Sequence, residues 1–184
     1  VVGLPDQFET EGHDRPDMHL PGDQEVLVRA LVEANPNTIV AVNAGAPVAM
    51  PWAEDVDSIL LMYYPGQEGG HALADLLVGD ASPSGKLTVS LPKQLADNPA
   101  YLHYPGWKDV HYGEGLFVGY RYYDMKDVAP LFPFGHGLSY TQFAYSDLRL
   151  PEEVHPGETF EVSVTVENSG KVVGQEVVQL YIRD

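Results

Sequence analysis

The 184 residues include no cysteine, which excludes disulfides, zinc-thiolate centres and thiol catalysis together and leaves the redox compartment open, since an exported protein need not use disulfides. Basic residues are scarce. Ten Lys and Arg stand against twenty-seven Asp and Glu, for a formal charge of −17 and a pI near 4.5. A field of that sign repels phosphate backbones and anionic lipid, so neither nucleic acid nor a membrane surface is expected as a partner. No apolar run approaches the roughly 18 residues that mark a membrane span. No signal peptide is legible, although a first residue other than Met leaves the original N-terminus open. What is present is apolar content of 44%, enough to bury a sizeable core and to fill one domain and a fragment of a second.

The chemically densest stretch is Glu9 to Pro21, ETEGHDRPDMHLP. It holds two glutamates, three further charged residues and two histidines, with Gly12 free to turn and Pro16 and Pro21 opposing a helix. If Val1 and Val2 end a buried strand, this loop leaves the carboxyl end of that strand, where open α/β sheets place their ligands.

The rest of the first half alternates strand and helix signals. Asp23 to Ala34 has an acidic first turn, apolar Val26, Leu27, Ala30, Leu31 and Ala34, and Asn35-Pro36 as its stop, the pattern of an amphipathic helix. Thr38 to Val42 and Ser58 to Tyr64 read as buried strands, Val48 to Glu54 as a short helical piece, Gln67 to Val78 as a second helix and Lys86 to Leu91 as a fourth strand. That succession predicts an α/β fold, a three-layer sandwich with a mainly parallel sheet flanked by helices. From Pro92 the chain is irregular: eight tyrosines and a tryptophan fall between Tyr101 and Tyr145, a density that calls for an ordered excursion. Beyond Ser146 the character is all-β. Phe160 to Val166 alternates, Asn168-Ser169-Gly170 makes a turn and Glu176 to Ile182 gives another strand pattern. Two or three strands do not close a sandwich, so 146–184 is expected to be an incomplete immunoglobulin-like or fibronectin-like module, and both chain ends read as cut.

Four segments in succession, EGHDRPDMHLPGDQ (Glu11 to Gln24), YYPGQEGGHALADLLVGDASPSGKLTVSLP (Tyr63 to Pro92), YGEGLFVGYRYYD (Tyr112 to Asp124) and PLFPFGHGLSYTQFAY (Pro130 to Tyr145), resemble the C-terminal α/β sandwich domain of glycoside hydrolase family 3, the β-glucosidase group. The resemblance implies a sandwich domain over 1–145 with its first strand truncated, and the opening strands of a fibronectin type III-like domain over 146–184. It implies a retaining β-glucosidase, or a β-xylosidase of the same family, acting on a terminal β-D-glucosyl residue of a glucoside or oligosaccharide. No cofactor or metal is implied, there is room for a homo-oligomer, and a secreted or periplasmic setting is favoured over the cytoplasm. The family's (β/α) barrel, which carries the nucleophilic aspartate and most of the sugar-gripping residues, is absent from these residues and becomes a required partner domain.

Retaining glycosidases need two carboxyl groups about 5 to 5.5 Å apart, one to attack the anomeric carbon and one to protonate the leaving oxygen and then deprotonate a water. Within the loop Glu9 and Glu11 are equal candidates on chemistry alone. The family's acid/base glutamate directly precedes the Gly of an E-G-x-D-R pattern, which maps to Glu11, Gly12, Asp14 and Arg15 and so selects Glu11. Arg15 is expected to pair with Asp14 or another acid and to point away from Glu11. Plainer readings stand beside these. Solvated charge is the default for a glutamate-rich loop; His13, Asp14, Asp17 and His19 have metal-ligand chemistry, but Pro16 interrupts them. Pro65 to Gly70 imitates a phosphate cradle without its Lys-Ser/Thr ending and reads as a strand-to-helix turn. His136 and the tyrosines around Arg121 read as packing residues, and Trp52 and Trp107 as core rather than sugar platforms. If the chain exists alone, a non-catalytic carbohydrate-binding or structural module is the competing class.

Overall fold

A computed structural model describes residues 1–182. The chain forms two compact units, one of residues 1–72 with 87–136 and one of residues 73–86 with 137 onward.

The first unit is built on a parallel sheet. Strand β2 (Ile39–Asn43) has three consecutive buried residues, Val40, Ala41 and Val42, as a strand covered on both faces requires. It pairs in parallel with β1 (Val2–Gly3) through Val2 opposite Val42, and with β3 (Ser58–Leu61) through Ile39 opposite Ser58, giving the order β1-β2-β3. Helix α1 (Gln24–Ala34) is the crossover from β1 to β2, and α2 (Gly69–Val78) follows β3. The mixed α/β architecture with a parallel sheet is therefore as the sequence indicates.

Several details differ. The apolar stripe read on α1 is not its buried face: Val28 is 2% exposed and Val32 packs on the core, while Val26 is 65% and Leu27 52% exposed. The cause is the first residue of the helix. Gln24 donates Nε2–H to the Gly3 and Pro21 carbonyls at 2.9 and 3.0 Å, and its Oε1 accepts the Gly3 N–H at 2.7 Å. Its carboxamide thus acts as a strand for the outer edge of β1, and the i, i+4 register of 24, 28 and 32 turns Val28 and Val32 inward. Val48 to Glu54 is not helix: Val48 to Met50 has no regular structure and turns follow from Pro51, with Ala53 N–H on the Met50 carbonyl and Asp55 N–H on the Trp52 carbonyl; Pro51 has no N–H to give. Trp52, Val42 and Val48 are the largest fully buried side chains.

Lys86 to Leu91 does not form the expected fourth strand. It meets the returning segment at an isolated antiparallel bridge, Leu91 to Phe132, and at scattered hydrogen bonds, Leu87 N–H on His136 carbonyl and Gly135 N–H on Leu87 carbonyl, without forming a ladder. Pro133 interrupts the ladder because proline has no donor. Within the aromatic excursion the sequence reading missed α3 (Tyr120–Lys126), which begins after Gly119 at φ +59° and ends at Asp127 in the left-handed region, φ +53°. Arg121 lies 5.3 Å above the Tyr120 ring, Tyr120 stacks on Phe134 at 5.4 Å, and His136 stacks on Phe132 at 5.2 Å, so these residues pack as expected.

The second unit contains an antiparallel pair, β4 (Phe143–Arg149) with β5 (Ser163–Asn168). Asn168 Oδ1 accepts Gly170 N–H at 3.1 Å, closing the expected Asn-Ser-Gly turn. Glu176 to Ile182 forms no strand among the described residues: alternation prepares a strand, but only a partner edge makes one.

Candidate active site

The carboxyl ends of β1, β2 and β3 all open on the same edge, and the 9–21 loop lies there. Its later half is the structural root. Met18 and Leu20 are 6% and 4% exposed, and the Met18 carbonyl accepts Ala49 N–H at 2.7 Å. Asp17 Oδ1 caps His19 N–H at 2.8 Å, and His19 Nδ1 meets Glu25 Oε1 at 2.8 Å, tying the loop to the first turn of α1.

The earlier half separates the two glutamates. One Glu9 oxygen accepts two backbone N–H groups just beyond β2, from Gly45 at 2.7 Å and Ala46 at 2.9 Å. Gly45 has no room for a side chain, since a Cβ there would fall 2.0 Å from the Tyr64 ring. The Tyr64 hydroxyl is pushed above a tyrosine's ordinary pKa by desolvation and then by the Glu9 carboxylate; the ring as a whole is 71% exposed, but its hydroxyl end is tucked against Gly45. Glu11 is exposed. Glu9 is engaged in holding the backbone, and Glu11 is presented.

Arg15 does not pair with an acid. Its Nη2–H donates to the Pro47 carbonyl at 2.7 Å, and Nη1 is buried without an acceptor among the described residues. Asp14, its expected partner, accepts instead from the Tyr104 hydroxyl at 2.8 Å, whose pKa is raised first by that hydrogen bond and then by the Asp14 charge. The reason is chain direction: Arg15 reaches the backbone beyond β2, as Glu9 does, while Asp14 meets the excursion. With Asp14, Asp17 and His19 spoken for in this way, no three His, Asp or Glu side chains among the described residues converge as a metal cage. Pro65 to Gly70 is a tight turn into α2, where a Cβ on Gly69 would come within 2.7 Å of Pro65. Trp52 is core at 0% exposure, whereas Trp107, also read as core, is 95% exposed. Nothing in local sequence distinguishes them; Trp52 follows the buried Val48-Ala49-Met50 and Trp107 sits in irregular chain.

His19 gives a pH test of the loop's root. Its pKa is raised from 6.5, first by the hydrogen bond to Glu25 and then by that carboxylate's charge. A raised histidine stabilises the fold fully below its unfolded value and loses that contribution as pH rises through the folded value. His19→Ala is therefore expected to lower the melting temperature slightly at pH 5.5 and not at pH 9; an equal deficit at both would remove the ion pair from the loop's anchorage.

The glycosyl hydrolase family 3 C-terminal domain model matches residues 1–140. The chain belongs to glycoside hydrolase family 3. It is 52% identical over its whole length to thermostable beta-glucosidase B of Acetivibrio thermocellus, covering 24% of that protein, and 49% identical over 98% of its length to probable beta-glucosidase I of Aspergillus clavatus, covering 22%. Among solved structures it is similar to the family 3 β-glucosidase of Bifidobacterium adolescentis, with a TM-score of 0.85 and 42% identity over 92% of this chain and 25% of that one. A β-glucosidase from Streptomyces venezuelae in complex with D-glucose gives a TM-score of 0.79 and 49% identity, over 88% of this chain and 21% of that one. The family 3 chain thus spans about a quarter of the length of the relatives it matches.

Proposed function

We propose that the chain is the acid/base-bearing part of a retaining β-glucosidase that hydrolyses terminal non-reducing β-D-glucosyl residues. The relatives' names supply the substrate class. The observation that carries the chemistry is the division of labour in the loop: Glu9 is consumed by two backbone N–H groups, Asp14 and Asp17 accept from the Tyr104 hydroxyl and the His19 N–H, and Glu11 is exposed beside them. In the first step an aspartate of the (β/α) barrel attacks the anomeric carbon, and Glu11 gives its proton to the departing glycosidic oxygen. In the second, the Glu11 carboxylate takes a proton from water, whose oxygen attacks the same carbon and releases the aspartate. The fibronectin type III-like reading of the tail belongs to this proposal and is supported by the antiparallel pairing of β4 with β5; the division read at Tyr145 and Ser146 falls inside β4, so the all-β part is proposed to begin ahead of Phe143.

A purified chain of these 184 residues is expected to show no measurable turnover of an aryl β-glucoside, because one carboxylic acid can protonate a leaving group but cannot stabilise the developing oxocarbenium ion from the opposite face. The full-length polypeptide should turn it over. Robust hydrolysis by the 184-residue chain, verified by intact mass, would place both carboxylates inside it and overturn the assignment.

A further inference from the structure

We infer that Glu9 is the positioning residue for Glu11, acting through the backbone beyond β2; the inference rests on the acid/base reading of Glu11. Two consecutive N–H groups, Gly45 and Ala46, converge on one Glu9 oxygen at 2.7 and 2.9 Å, the arrangement of a backbone anion nest. Four residues past Glu11, Arg15 donates to the Pro47 carbonyl at 2.7 Å. The loop is thus pinned on both sides of Glu11 to three successive residues of one segment, Gly45, Ala46 and Pro47. Between the pins, Gly12 N–H bonds locally to the Thr10 hydroxyl, and Asp14 is held by Tyr104.

The Glu9 pin is the closer one to Glu11, two residues away, a reach of about 7 Å of extended chain. The nest is also built for it. The Tyr64 ring seals the position where a Gly45 side chain would stand, and the Tyr64 hydroxyl interacts with the same carboxylate. Glu9 needs neither to titrate nor to touch substrate. Its acceptor oxygen fixes where the backbone carrying Glu11 runs, and the proton transfer depends on that placement. With the acid/base role assigned to Glu11 and no contact known for Glu9, Glu9→Ala would leave the ratio of rates for poor and good leaving groups nearly unchanged; the two backbone hydrogen bonds reverse that expectation.

The test uses the full-length polypeptide with a β-linked glucose disaccharide and a dinitrophenyl β-glucoside. Misplacement of a catalytic group by about 1 Å is worth about 10²-fold. Glu9→Ala is therefore expected to lower kcat/KM, which reports glycosylation, about 10- to 100-fold for the disaccharide and much less for the activated glucoside, an attenuated copy of Glu11→Ala. Glu9→Gln, which keeps an oxygen in reach of both N–H groups, should restore most of the ratio. Glu9→Asp, which keeps the charge but withdraws the oxygen by one methylene, should not; this pair stands even if the alanine variant fails to fold. Equal losses on both substrates, an unchanged ratio, or rescue by Asp rather than Gln would overturn the positioning role. Glu11→Ala run in parallel separates the two ideas. A Glu11→Ala that depends on the leaving group, beside a Glu9 series that does not, removes only the inference; a Glu11→Ala without that dependence removes the acid/base reading and the inference with it.

Discussion

Glu11→Ala in the full-length polypeptide is expected to damage substrates unequally. Dinitrophenolate is a good enough leaving group to depart without a proton, so glycosylation by its glucoside should survive, while hydrolysis of a disaccharide should fall by about 10² to 10⁴, roughly 3 to 5 kcal/mol of barrier. Deglycosylation needs the same group as a base and should slow for both, so the covalent glycosyl-enzyme should accumulate with the activated substrate and appear as a burst of dinitrophenolate. A uniform loss across the two substrates, with no burst, would mean that Glu11 binds or orients rather than transfers protons.

The second large effect lies in the core. Trp52 has no exposed surface and packs in the cluster that includes Val42, Val48 and Met50. Trp52→Ala should cost about 3 to 5 kcal/mol, seen as a fall of roughly 6 to 20 °C in melting temperature for a chain of this size. Trp107, at 95% exposure, should change stability by no more than about 0.5 kcal/mol when replaced by alanine. Trp52→Phe should cost far less than alanine, since it keeps most of the volume and removes an indole N–H that is buried without an acceptor among the described residues. Comparable losses at the two tryptophans would mean that the core is drawn in the wrong place.

What could be read from sequence was whatever local periodicity determines. Ile39–Asn43, a β-branched run buried on both faces, and the helices stopped by Asn35 and Gly79 lie close to where their patterns put them. Their parallel pairing followed from the strand and helix alternation. Long-range contacts were not legible. The rotation of α1 is set by Gln24 reaching Gly3, 21 residues away, which no moment along the helix can reveal. Lys86 to Leu91 had a strand's pattern but met a partner segment broken by Pro133. α3 was hidden because its aromatic residues have only middling helix propensity and its boundaries are set by backbone at positive φ.

The loop shows the same division. Its charge, its turns and its place at the strand exits were visible in thirteen letters, and the family pattern named Glu11. That Glu9 accepts from residues 36 and 37 positions away, and that Arg15 serves Pro47 rather than an acid, are facts of tertiary structure. They turn two equivalent glutamates into one that holds and one that is presented.

The most direct measurement of that distinction is the product formed when azide is added to the Glu11→Ala polypeptide with the dinitrophenyl β-glucoside. Azide needs no general base, so it should attack the accumulated glycosyl-enzyme in place of water, restore turnover and yield β-glucosyl azide with retained configuration. Turnover that azide leaves unchanged, or an azide product formed by Glu9→Ala and not by Glu11→Ala, would contradict the assignment of Glu11 as the acid/base.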